Sequence, residues 1–146
     1  MKKSALFFVL ALTACGDAPK PGVIDAQVNL PAVTGRPGVA YFTLKGGPAE
    51  MRLMSVTSPS VITIELHDMV MKDDMMSMPA LDAGVAVPAG GTVKFAPMGK
   101  HAMLIDINPR LKVGDSMKLT FTYADGLTMD AMAKVKAPGE TTGSTP

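Results

Sequence analysis

Between residues 23 and 136 the chain reads as short apolar or alternating runs divided by clusters of Gly, Pro, Asn, Asp and Ser. No window repeats its apolar residues at the three-to-four-residue interval of an amphipathic helix, whereas period-two alternation recurs, which predicts strands. The runs fall at 23–33, 39–45, 51–58, 61–70, 75–78, 84–87, 92–95, 102–107, 116–123 and 127–135. Gly46-Gly47-Pro48, Ser58-Pro59-Ser60, Pro88-Ala89-Gly90-Gly91 and Asn108-Pro109 punctuate them, and Asp125-Gly126 is a strong hairpin signal. Many short strands at this spacing predict an all-β sandwich or barrel. Within 61–70, Thr63, Glu65 and His67 alternate with Ile62, Ile64 and Leu66, which predicts His67 on the more polar face of its strand.

The flanks read differently. Lys2 and Lys3 precede an apolar run over 5–12, and Leu12-Thr13-Ala14-Cys15 has the form of a bacterial lipobox, in which the cysteine is acylated and becomes the mature N-terminus. Residues 1–14 are expected to be a lipoprotein signal peptide, 15–22 a tether and 23–136 one domain. The breaker-rich residues 137–146 are expected to be a disordered tail. The expected location is the periplasm, with the protein held on the membrane by acyl chains at Cys15. No apolar run reaches the ~18–20 residues of a spanning helix. Cys15 is the single cysteine, so its acylation would leave the domain with neither thiol nor disulfide.

Charge narrows the class of partner. Fourteen basic residues against thirteen acidic ones leave no basic face for nucleic acid. With no tryptophan and few aromatics, the core must rest on Val, Leu, Ile, Ala and Met.

The candidate chemistry lies in the two histidines, each followed two residues later by methionine: His67-Asp68-Met69 and His101-Ala102-Met103. On a strand such a pair places imidazole and thioether on one face. Asp73-Asp74 as a two-residue hairpin loop would pair residues whose numbers sum to 147, setting Met69 opposite Met78 and Met71 opposite Met76. Thioether with neutral imidazole is the donor set of a soft ion, above all Cu(I), whereas Mg²⁺ and Ca²⁺ want oxygen and structural zinc wants thiolate. Methionine is more often core filler, and Met51, Met54, Met117, Met129 and Met132 are expected to be that. Met71, Met75, Met76 and Met98 read as flexible cover or an entry path. No nucleophile–base set or phosphate loop is present, and the expectation is a protein that is not an enzyme.

These residues resemble the PCuAC family of bacterial copper chaperones. The resemblance runs from about Val39 to Val135 and is carried by Glu65-Leu66-His67-Asp68-Met69, Met76-Ser77-Met78, Val87-Pro88-Ala89-Gly90-Gly91 and Pro97-Met98-Gly99-Lys100-His101-Ala102-Met103. The joint spacing of His67, Met78, His101 and Met103 is far more specific than either short motif. The resemblance implies a cupredoxin-like Greek-key β-sandwich with a shallow Cu(I) site whose ligands map onto His67, Met78, His101 and Met103, with Met69 the weaker candidate. It also implies a monomer that exchanges copper with donor or acceptor proteins, such as cytochrome c oxidase assembly factors or subunit II. Two other readings remain open from the residues alone: copper storage or buffering, and a β-sandwich interaction module that binds no metal.

Overall fold

The computed structural model describes residues 16–140; the expected signal peptide, Cys15 and residues 141–146 lie outside the described residues. Among the described residues there are eleven strands and no helix. They are β1 (Gly22–Asn29), β2 (Gly38–Lys45), β3 (Met51–Thr57), β4 (Val61–His67), β5 (Val70–Lys72), β6 (Met75–Ser77), β7 (Val85–Val87), β8 (Thr92–Phe95), β9 (His101–Ile107), β10 (Ser116–Tyr123) and β11 (Thr128–Lys136). The all-β expectation holds. The one expected strand over 61–70 divides into β4 and β5, because the chain leaves regular pairing at Asp68 and Met69.

Nine strands make one sheet in the order β4-β9-β2-β1-β11-β10-β3-β7, with β8 also paired to β2; β5 and β6 pair only with each other. β3 and β4 are consecutive in the chain yet far apart in this order, and they pack together, so the sheet curls over on itself as a sandwich. β1 lies parallel to β11 and antiparallel to β2, while β9 is antiparallel to both β2 and β4.

The core follows from alternation. Ala40, Phe42 and Leu44 of β2 and Met117, Leu119, Phe121 and Tyr123 of β10 face inward, with the intervening residues toward the outside. Phe42 stacks on its register partner Phe95 at 4.3 Å between ring centroids and meets Phe121 edge-on at 4.9 Å. These are the favoured aromatic geometries, so three phenylalanines anchor a core otherwise made of aliphatic residues and Met117.

Met54 and Met132 correct the core reading, being 40% and 61% exposed. Met54 is the extra residue where the β10·β3 register shifts, Thr122 facing Ser55 but Tyr123 facing Leu53, and a bulged residue loses its place in the alternation. Met132 shares its parity on β11 with Asp130 and Lys134, hence the outer face. Met117 is buried as expected, and Met51 and Met129 pack against the core from its rim.

Two turn signals meet in space. Gly46 N donates to Gly91 O and Gly90 N to Gly47 O, each at 2.8 Å, so Gly46-Gly47 lies against the turn at Pro88–Gly91. A Cβ on Gly46 would overlap the Pro88 carbonyl oxygen. At the other chain end, residues 137–140, assigned by composition to the tail, form a turn held to β1. Asn29 Nδ2 donates to the Ala137 and Glu140 carbonyls, and the buried Gln27 side chain donates to Glu140 O and to Asn29 Oδ1.

Candidate metal centre

β4 and β9 bring the two histidines together. The antiparallel register runs from Val61↔Ile107 to His67↔His101, so the imidazoles are direct cross-strand partners with ring centroids 5.8 Å apart. Glu65 faces Met103 one pair earlier, on the same face. A metal–imidazole bond of about 2 Å, plus about 1 Å from nitrogen to ring centre, puts two rings sharing one ion about 5–6 Å apart. The observed spacing fits.

The two rings differ in how their nitrogens are engaged. His101 Nδ1 lies 2.9 Å from the Gly99 carbonyl oxygen, which can only accept, so Nδ1 carries the proton and Nε2 keeps its lone pair. A backbone carbonyl behind one ring nitrogen is the usual way a ligating histidine is held in its tautomer. His67 Nδ1 is buried without a partner, and its Nε2 points toward Glu65 Oε2 at 3.6 Å, too far for a hydrogen bond. An orphaned buried polar atom costs about 1–3 kcal/mol, which a bound ion would offset.

His67 lies on the polar face of its strand with Thr63 and Glu65, as expected, yet both histidines are only 9% exposed. Thr63 and Glu65 do face solvent, but His67 is flanked on both sides, by His101 and by a bridge to Ala80 on the returning chain. Next to the pair, Lys100 Nζ and Asp68 Oδ2 form an ion pair at 2.8 Å, and Asp68 Oδ1 accepts from Met69 N at 2.9 Å. That contact ties the start of β9 to the segment leaving β4.

The methionine hairpin has the register expected of it. Val70↔Ser77, Met71↔Met76 and Lys72↔Met75 all pair across a two-residue loop. The same register continues inward through Asp68 N to Pro79 O, the His67↔Ala80 bridge and Leu81 N to Leu66 O. Asp73 and Asp74 both have positive φ, 51° and 58°, the backbone of a type I′ turn. Parity therefore sets Met69, Met71, Met76 and Met78 on the face that carries His67. Met78 is 52% exposed just past β6, while Met69 and Met103 are half-buried. Among the described residues no group of three or more His, Cys, Asp or Glu converges, so the donors adjacent to the imidazoles in the register are chiefly thioethers. Sequence reading missed Glu65, whose two-residue offset from His67 was visible, and Gly99, whose carbonyl role no local pattern signals.

A cupredoxin-like sandwich of this kind is the fold of PCuAC domains. The copper-bound PCuAC domain from PmoF2 superposes with a TM-score of 0.66 at 20% identity, covering 83% of this chain and 98% of that one, a likeness of fold. The copper(I) form of DR1885 from Deinococcus radiodurans matches with a TM-score of 0.63 at 26% identity, over 89% of this chain and 85% of its own. Residues 22–135 match the family described as "Putative lipoprotein LpqE-like", and the chain belongs to that family. Among curated relatives, "Putative lipoprotein Lxx21020" of Leifsonia xyli subsp. xyli is 31% identical over 84 residues, 58% of this chain and 51% of the relative. The chain spans about half the length of the curated relatives it matches.

Proposed function

We propose that this protein is a copper chaperone that carries one Cu(I) on His67, Met78, His101 and Met103 and hands it to an extracytoplasmic acceptor. The observation that carries the reading is the facing histidine pair, with His101 Nδ1 held by Gly99 and His67 Nδ1 unpartnered. Met103 stands two residues from His101 on the same face, and Met78 lies just past β6, in the segment that returns to Ala80 beside His67. Neutral nitrogen and thioether donors suit Cu(I) and hold it without adding charge. Copper bound in the related PmoF2 and DR1885 structures supports the same cargo here.

Transfer follows from the ligands. Thioethers are weak donors on flexible side chains, so an acceptor's stronger donors can replace the exposed Met78 first and the half-buried Met103 next, while the buried imidazoles release last. Acylation at Cys15 would hold the protein on an extracytoplasmic membrane face, as the lipoprotein name of the family supports. The acceptor we favour is the copper centre of cytochrome c oxidase or one of its assembly factors, on the PCuAC resemblance.

Anaerobic titration against a competing Cu(I) chelator tests the reading. Since loss of one outer-shell partner alone costs about 10–100-fold in metal affinity, the His67→Ala, His101→Ala double variant should lose at least about 100-fold. Unchanged affinity in that variant would overturn it. Several ions of equal affinity in the wild type would favour storage instead.

A further inference from the structure

The hairpin β5–β6 carries more thioether than the proposed copper site uses. Met71, Met75 and Met76 are 67%, 72% and 51% exposed, so core packing does not explain them. Met71 and Met76 are direct cross-strand partners. Lys72↔Met75 closes the two-residue loop, so Met71 and Met76 form the next, non-hydrogen-bonded pair, whose Cα atoms lie about 4.5 Å apart with side chains on one face. The continuous register places Met69 and Met78 one step inward on that face and His67 one step further, each step spanning about 6.6 Å. Asp73 and Asp74 at the turn outnumber Lys72 and give the tip a negative field that attracts cations.

We propose that Met71 and Met76 form a second, weaker Cu(I) site at the hairpin tip, one ladder step outboard of Met69 and Met78. It rests on the copper reading above and gives the hairpin a direction: a soft monovalent cation is captured at the tip and moves inward from thioether to thioether to the imidazole pair. The step is ligand exchange alone; the copper stays Cu(I), and one sulfur replaces another with no electron or proton moved. Without an imidazole, the tip site holds the ion more loosely than the inner one.

The experiment is a titration of the full domain with Cu(I), and with Ag(I) as a redox-inert stand-in, followed by NMR of methionine ¹³C-methyl groups and histidine ring protons. The first equivalent should move the His67 and His101 ring signals and the Met78 and Met103 methyls; the second should move Met71 and Met76. In the Met71→Ile, Met76→Ile variant, whose β-branched replacements suit a strand, the second response should vanish while chelator-competition affinity for the first ion stays within about twofold. Static Met71 and Met76 methyls through two equivalents, their movement with the first equivalent, or retention of the second ion by the variant would each overturn the tip site. Failure of the inner site has a different signature: ring signals and the Met103 methyl that never respond.

Discussion

His67 and His101 face each other directly across the β4·β9 ladder with their ring centroids 5.8 Å apart, although the methionine hairpin and two further strands, β7 and β8, separate them in sequence. Their approach is fixed by backbone pairing.

One prediction concerns acid. Both imidazoles must be neutral to ligate, whereas thioethers carry no proton. If both imidazoles ligate, protons compete with Cu(I) for their nitrogens, and Cu(I) affinity should fall as pH drops. Chelator competition between about pH 8 and 5, corrected for the chelator's own protonation, measures it. A flat profile would remove the histidines from the ligand set.

A second separates two sulfurs that the register sets opposite each other. Met78→Ile should weaken Cu(I) binding by about tenfold or more, one lost ligand's worth, and Met69→Ile by less than about threefold. The reverse ranking in the same titration would exchange their roles.

Much of this was legible in the chain. Alternation located the strands, and the Asp73-Asp74 loop with its register was readable even though aspartate is a poorer type I′ residue than glycine. What escaped was set by partners distant in sequence. Alternation placed His67 on the polar face of its strand, but only pairing with β9 on one side and Ala80 on the other buries it there. Met54 escaped because a bulge is a property of two strands together. Met132 could have been read correctly, since it shares parity with Asp130 and Lys134.

A third prediction tests the glycine contact between turns. Gly46→Ala should destabilise the domain by about 1–3 kcal/mol, the ordinary cost of overpacking, because the new methyl meets the Pro88 carbonyl. Urea unfolding reads this as a lower midpoint with unchanged slope. An unchanged midpoint would show that the two turns can part at no cost.

A fourth concerns alkali. Tyr123 is buried with its hydroxyl unpartnered, and burial pushes its pKa up to about 12. The folded protein holds this proton more tightly than the unfolded chain, so the associated stability is complete below about pH 10 and is lost as pH rises through about 12. Tyr123→Phe should change stability near neutrality by less than about 1 kcal/mol, since the lost hydroxyl made no hydrogen bond, and should flatten the alkaline decline. Tyr41, whose pKa burial also raises, would account for the remainder. An alkaline unfolding profile identical to wild type would refute the assignment.

The directions of β1 and β9 decide how the domain would hang from a membrane. Each is antiparallel to β2, so they run the same way, and Gly22 and His101 begin their strands toward the same end of the sheet. The seven residues from Cys15 to Gly22 reach at most about 25 Å when fully extended. Were the chain acylated there, the end of the sheet where β1 begins would be the one held nearest the lipid headgroups. Its encounters with any membrane-bound partner would then become a search over a plane, at short range.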